Sequence, residues 1–274
     1  MFFGLTEEQE MIVRTVRSFV ENEIYPHENL VESKGSVPTE IAQDIKQKCI
    51  NLGFYACNFP ENIGGAGLNH LDFALVEREL GRGSMALTHF FGRPQNILMA
   101  CKDEQIEKYL LPAVRGDLMD ALAMTEPDAG SDVRGMKCFA KSEGSDWIVN
   151  GTKHFISGAE HADFIIVFIA TGEEQTEKGP KKKITAFLVD RGTPGFVIRD
   201  GYNSVSHKGY KNMILEFDDC LLPKEQVLGE VDGGFEVMNT WLYATRLTVA
   251  SVTRANISVA YNFALAISLF EDKF

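Results

Sequence analysis

Near Asp117 the sequence changes period, and that change constrains the fold more than any other feature. Beyond it the apolar residues gather in short β-branched or aromatic runs, each bounded by Gly, Pro or Asp: Ala121–Met124, Met136–Ser142, Trp147–Val149, Phe164–Ala170, Ile184–Val189, Phe196–Ile198 and Met213–Phe217. Short strands at this spacing, with no helical stretch between them, predict an antiparallel sandwich or barrel. The charged stretch Gly172–Lys183 reads as a loop, the solvated tip of a hairpin.

On either side the pattern is helical. Thr6 and Gln9 have capping-box spacing at the start. Met11, Ile12, Val16, Phe19, Val20 and Ile24 then fall on one face, and Pro26 marks the end of that helix. Further helices are predicted over Pro38–Leu52, stopped by Gly53, then over Leu71–Leu80, Gln95–Ala100 and Glu104–Val114, with a glycine-rich loop at Pro60–Gly67. After Gly233-Gly234 the helical pattern returns. There Trp241, Leu242, Val249, Val252, Ile257, Val259, Phe263, Leu265, Ile267, Leu269 and Phe270 cover more than one face. A helix apolar on several faces is normally buried among other helices, and none follows in this sequence. The expectation is an α+β multidomain fragment: an all-α N-terminal domain over 1–117, a β-sandwich or barrel over 118–230, and over 231–274 the first helix of an incomplete C-terminal bundle.

Composition narrows the partners. The net charge of −12 argues against a nucleic-acid binder, which needs clustered Lys and Arg. No apolar run approaches the roughly 20 residues that span a bilayer, and the start MFFGLTEEQE is no secretory signal. Cys49, Cys57, Cys101, Cys138 and Cys220 are too widely spaced for a zinc site and read as buried thiols in a reducing compartment. A cytoplasmic protein of bacterial type is expected, or a mitochondrial-matrix one if a transit peptide has been removed.

Two stretches have the residue types for chemistry. Ala123–Val133 (AMTEPDAGSDV) is a strand running into a turn that exposes several backbone N–H groups. Such a turn suits a polar planar ligand or an oxyanion; taken alone it reads first as an ordinary sandwich corner. In Val149–Gly158 (VNGTKHFISG), Phe155 and Ser157 lie two apart and share one face of a strand. That pairing suits stacking on a ring and hydrogen-bonding its edge, or else is a core aromatic beside a surface serine. His154 is assigned to the opposite face, in a structural role. GxGxxG, GxxxxGKS and a nucleophile elbow are all absent, so no Rossmann, P-loop or triad site is indicated.

Taken in order, the blocks LTEEQEMI, LGFYACNFPENIGGAGL, EQIEKYLLPAVRGD with AMTEPDAGSDV, WIVNGTKHFISGAEHADF and HKGYKNMILEFDDCLLPKEQVLGEVDGGF resemble the acyl-CoA dehydrogenase family over the whole chain. The resemblance implies FAD as cofactor, with contacts from Leu122, Met124, Thr125, Gly130 and Ser131 in the first signature. From the second signature it implies contacts from Phe155, Ile156 and Ser157, where the family usually has Trp-Ile-Thr. Ser131, Thr245 and Arg246 match positions near the acyl-CoA substrate. The implied reaction is α,β-dehydrogenation of an acyl-CoA to the trans-2-enoyl-CoA: a carboxylate takes the α-proton while the β-hydrogen leaves as hydride to the flavin. Electrons then pass to an electron-transfer flavoprotein, and the full-length protein is expected to be a dimer or tetramer.

The sequence also departs from the family. Some members have their glutamate base immediately before the helix arginine, where this chain has Thr245. That resembles the medium-chain type and places the base beyond residue 274. Tyr243 replaces a frequent aspartate. Glu271-Asp272-Lys273-Phe274 stands where an RxxFG segment is expected, putting a carboxylate in place of a pyrophosphate-binding arginine. These departures leave two alternatives: a non-catalytic relative that binds acyl-CoA or a partner, and a flavin oxidase or monooxygenase of the same fold.

Overall fold

Thr6 caps the first helix as its spacing predicts: its Oγ1 accepts from the Gln9 amide and the Gln9 side chain accepts from the Thr6 amide, both at 3.2 Å. The computed structural model describes residues 4–177 and 179–271. Its helices are α1 (Glu7–Phe19), α2 (Tyr25–Lys34), α3 (Thr39–Asn51), α4 (His70–Leu80), α5 (Met85–Thr88), α6 (Leu111–Arg115) and α7 (Gly234–Glu271). Its strands are β1 (Asp120–Ala123), β2 (Phe139–Glu143), β3 (Asp146–Ser157), β4 (Phe164–Thr176), β5 (Gly179–Asp190), β6 (Phe196–Tyr202), β7 (Asn212–Leu222) and β8 (Val227–Leu228). Together they form two compact units.

The first unit runs through Gly92 and takes in α7 from Leu242 onward. In α1 the buried residues are Ile12, Val13, Val16 and Phe19, whereas Met11 is 57% exposed. The predicted stripe is therefore kept at Ile12, Val16, Phe19, Val20 and Ile24, with Val13 buried in place of Met11. Pro26 does not end the helix. A π-helical turn over Val20–Ile24 is followed directly by α2, which holds Pro26 in its first turn, so the helical run passes the proline through a local π adjustment instead of stopping at it. Arg17 ties α1 to α4 through two hydrogen bonds, 2.9 and 3.2 Å, to the buried Glu79 carboxylate. In the predicted loop, a Cβ on Gly65 would lie 2.1 Å from the Phe59 carbonyl oxygen, so only glycine fits that fold-back. On α7, Tyr243, Ile257, Tyr261 and Phe263 remain exposed. The 271–274 positions, where the RxxFG segment is expected, lie outside the described residues apart from the backbone of Glu271.

The second unit, Arg93–Trp241, is built on one eight-stranded sheet in the order β6-β7-β3-β2-β4-β5-β8, with β1 paired parallel to the start of β4. Most other ladders are antiparallel. Residues from β1 to β7 meet in a single core that includes Ala123, Val149, Ile165, Val167, Phe187, Phe196, Leu215 and Phe217, so the sheet curls around its own apolar face. The expected sandwich-or-barrel region and its helical flanks are both present. Phe164–Ala170 is buried on both faces. Its outer side is met by the helical segment ending in α6, where the Tyr109 ring lies 4.9 Å from that of Phe164. Gln105 donates to the carbonyls of Glu225 and Val227 at 2.7 and 2.8 Å. Residues 93–117 therefore pack with the sheet. The 172–183 stretch is not a loop: β4 and β5 stay paired out to Thr176 and Gly179, with cross-strand ion pairs Glu173–Lys182 (3.1 Å) and Glu174–Lys181 (3.2 Å). Opposite charges facing across a ladder favour continued pairing. Among the described residues no helix is long and apolar enough to cross a membrane.

Candidate functional site

β1 runs straight into the first candidate stretch. Past Ala123 the chain stays beside β3: the His154 amide donates to the Thr125 carbonyl at 2.8 Å, and Lys153 Nζ donates to the Met124 carbonyl at 3.2 Å. Glu126 then opens a tight turn, closed by its amide on the Ala129 carbonyl at 2.9 Å. Its carboxylate turns inward, takes the Lys153 ammonium at 2.7 Å, and accepts from the backbone amides of Lys137 (2.5 Å) and Cys138 (3.1 Å). The side chains of Lys153 and Glu126 are 0% and 3% exposed. A buried ion pair holds its position only when hydrogen bonds satisfy the rest of both groups, and here the two amides and the Met124 carbonyl do so. Gly151, at φ +136°, lets β3 pass close to this anchor; a Cβ there would lie 2.6 Å from Cys138 Cα.

Glu126 is thus withdrawn from the surface of the turn, while the exposed Asp128 is paired with Lys137 at 2.6 Å. Leu122, Met124 and Thr125 are half-buried, and Gly130 and Ser131 are exposed. The Thr125 and Ser131 hydroxyls make no hydrogen bond among the described residues.

β3 carries the second half of the site. Its register against β7 slips between Lys153 and Ile156, and within that bulge Phe155 has φ +58°. A bulky residue in the left-handed region is strained, at a cost on the order of 1–3 kcal/mol, and such strain concentrates at functional positions. The bulge leaves Phe155 54% exposed while Ile156 is buried in the sheet core, so only the backbone of Ile156 is left to meet a ligand. Ser157 is half-buried and donates to Asn212 Oδ1 at 2.9 Å. The Tyr210 hydroxyl also hydrogen-bonds to Ser157, and burial raises the pKa of that phenol. The bulge corrects one expectation: His154 does not point away from Phe155. Both rings meet Tyr202, His154 through a 2.8 Å contact from Nδ1 to the Tyr202 hydroxyl and Phe155 by stacking at 4.3 Å and 21°.

The sheet unit thus gathers Met124, Thr125 and Lys153–Ser157 at one place, with Gly130 and Ser131 on the adjoining turn. Thr245 and Arg246 lie in the other unit, on α7, half-buried and exposed respectively. Glu126, Lys153, Tyr202 and Asn212 were not singled out from the sequence. The first two lie inside the signature blocks, where an acid and a base flanked by apolar and glycine residues were the available signal; the last two carried none.

Comparison with known proteins gives this arrangement a context. The acyl-CoA dehydrogenase N-terminal domain matches residues 6–117, and the acyl-CoA dehydrogenase middle domain matches residues 121–220. A 3-(aryl)acrylate reductase of Clostridium sporogenes is 32% identical over 273 residues, 96% of this chain and 70% of the relative. The chain belongs to the acyl-CoA dehydrogenase family. Another member, the mitochondrial short-chain specific acyl-CoA dehydrogenase of Homo sapiens, is 33% identical over 95% of this chain. This chain spans 63% of the length of that relative. Among solved structures, an FAD complex of PigA superposes with a TM-score of 0.84 at 25% identity, over 97% of this chain and 69% of that one. In this acyl-CoA dehydrogenase-family chain, the middle-domain match runs from β1 into β7 and takes in most of the candidate site residues.

Proposed function

We propose that these residues form the flavin-binding part of an FAD-dependent acyl-CoA dehydrogenase, which converts an acyl-CoA to its trans-2-enoyl-CoA and delivers the electrons to an electron-transfer flavoprotein. The observation that carries this reading is the joined surface of the two signatures: a half-exposed Phe155 ring beside the Ser157 hydroxyl, with the Thr125 hydroxyl free on the segment that follows β1. These groups fit an isoalloxazine, which presents a flat apolar face and a polar edge. Of the turn's two carboxylates, Glu126 is neutralised by Lys153 and faces inward, and the exposed Asp128 is paired with Lys137 at 2.6 Å, so neither is left unpaired against an anionic cofactor.

FAD, when bound, supplies the acceptor for the substrate's hydride. The chain's own part is to hold and orient. Phe155 offers a ring face, Ser157 and Thr125 offer hydroxyls at its edge, and the backbone of Met124 and Thr125 is fixed by β3. Ser131, Thr245 and Arg246 are assigned to the acyl-CoA. Thr245 and Thr248 are coupled, since Thr248 Oγ1 donates to the Thr245 carbonyl at 2.9 Å. Neither residue at 245 or 246 is a carboxylate, so the general base is assigned to the part of the relatives' length that this chain does not span. The full-length protein is proposed to be a homo-oligomer acting in fatty-acid β-oxidation.

FAD titration followed by quenching of flavin fluorescence tests this reading. Saturable but weak binding is expected, weakened further by Phe155→Ala and by Ser157→Ala, with no turnover of acyl-CoAs by the 274 residues alone. Flavin fluorescence that stays unchanged on adding the chain would refute it.

A further inference from the structure

Phe155 is small for its position and strained, yet it does not stand alone. Tyr202, at the end of β6, covers one face of its ring at 4.3 Å and 21°. Parallel-offset rings at that distance attract beyond the area they bury. The Tyr202 ring is in turn fixed by its hydroxyl, which meets His154 Nδ1 at 2.8 Å. His154 is the residue immediately before Phe155, so the contact closes a short clasp: His154 to Tyr202 through a hydrogen bond, and Tyr202 back to Phe155 through a stack. The sheet register sets the clasp in place. Tyr202 pairs with Asn212 across β6 and β7, and Asn212 pairs with Ser157 across β7 and β3. One row of the sheet therefore carries Tyr202, the Asn212 amide that accepts from the Ser157 hydroxyl, and Ser157 itself.

The geometry points to Tyr202, locked by His154, as a positioning residue for flavin binding. It covers one face of Phe155 and fixes the plane of the ring, so that only the opposite face is offered to the cofactor. This inference rests on the FAD reading above and deepens it. A single phenyl ring at a bulge would otherwise rotate; a ring clamped on one side has its orientation set before a ligand arrives, which lowers the ordering cost of binding.

The test compares Tyr202→Leu, Tyr202→Phe, Phe155→Ala and the Phe155→Ala/Tyr202→Leu double variant. Two readouts are used: FAD titration by flavin fluorescence, and the ring-current shift of the Phe155 side chain by NMR without FAD. Tyr202 is partly exposed, so its replacement should leave the sheet folded, which the amide spectrum of each variant checks. In Tyr202→Leu the ring-current shift should vanish and FAD affinity fall by about threefold to tenfold, the range expected for one aromatic stack. Tyr202→Phe, which keeps the stack and loses the His154 contact, should bind FAD with an affinity between those of the unaltered chain and Tyr202→Leu. In the Phe155→Ala background Tyr202→Leu should have no further effect, because a positioning residue acts through the group it positions. FAD binding by the unaltered chain that is equal in Tyr202→Leu would overturn the inference and leave the FAD reading standing. Equal losses with and without Phe155 would overturn it as well, by making Tyr202 a general structural residue. No FAD binding by the unaltered chain would overturn the FAD reading, and this inference with it, even where the apo-state ring-current shift shows the stack is formed.

Discussion

Removing the Glu126 carboxylate should be among the most damaging single changes in the sheet unit. Lys153 Nζ has the Glu126 carboxylate at 2.7 Å and the Met124 carbonyl at 3.2 Å, and its side chain is fully buried. Glu126→Ala leaves that ammonium with one carbonyl, and leaves the Lys137 and Cys138 amides without their acceptor. Breaking a buried pair from one side costs about 3–5 kcal/mol, and each orphaned donor about 1–3 kcal/mol before relaxation and water entry offset part of it. A loss of about 4–6 kcal/mol follows, comparable with the whole stability of many domains, at about 5–15 kcal/mol. Glu126→Gln keeps an acceptor for the amides and removes only the charge, for about 3 kcal/mol. Lys153→Met should cost less, about 1–3 kcal/mol, because the carboxylate retains two backbone donors. The Glu126→Gln/Lys153→Met double variant should cost less than the sum of the two, since neither charge is then left alone. Urea unfolding followed by tryptophan fluorescence measures this selectively, because both tryptophans, Trp147 and Trp241, belong to the sheet unit. A Glu126→Gln variant within about 1 kcal/mol of the unaltered chain, or a double variant that costs the full sum, would refute the argument.

Two further expectations come from groups outside the site. Burial pushes the Asp120 carboxyl from its ordinary 3.8 up to about 7. The folded state therefore holds a proton that the unfolded chain releases, and stability falls as pH rises from about 4 to 7 and stays lower above that. Asp120→Asn, which keeps an acceptor for the Gln95 amide, should raise the urea midpoint at pH 8.5, by an amount bounded by about 4 kcal/mol. The gain should shrink as pH falls through 7, and a gain that does not change with pH would contradict the cause given. All five cysteines are buried, and burial moves the Cys101 and Cys138 thiols up to about 12 and Cys220 to about 11. Since the thiolate is the reactive form, a disulfide reagent at pH 8 should label none of the native thiols quickly and all five after denaturation; rapid labelling of the native chain would count against it.

The parts of this fold that were legible in the sequence are those set by local spacing. The Thr6–Gln9 cap and the short β-branched runs of the sheet need no distant information, and they are present where the pattern places them. Errors arose where one local signal has two meanings. Proline both ends a helix and begins one, and at Pro26 the second use holds because a π-helical turn re-phases the chain just before it. Twelve residues of acids, glycine and lysines at 172–183 look like a loop by composition, but glutamates fall opposite lysines once the strands pair, and composition alone carries no register. The same limit explains His154: strict alternation separates it from Phe155, and a bulge, which alternation cannot encode, reunites them.

The candidate site shows why two stretches that are each ordinary by themselves become specific in combination. An isolated turn at 126–131 could adopt several geometries, and an isolated serine and phenylalanine on β3 could lie against anything. What removes that freedom is a set of bonds between the stretches: the His154 amide on the Thr125 carbonyl, the Lys153 ammonium on the Met124 carbonyl, and the Lys153–Glu126 ion pair. Each bond uses a group inside the motif that faces away from the proposed cofactor. The residues between them are then left facing outward with their backbone already fixed. A motif of this kind has two constraints at alternate positions, one toward the ligand and one toward the other motif. Reading only the ligand-facing half recovers Thr125 and Ser157 but misses Glu126 and Lys153. It equally misses Tyr202 and Asn212, which act from β6 and β7, because the contact that gives each its place depends on sheet register alone.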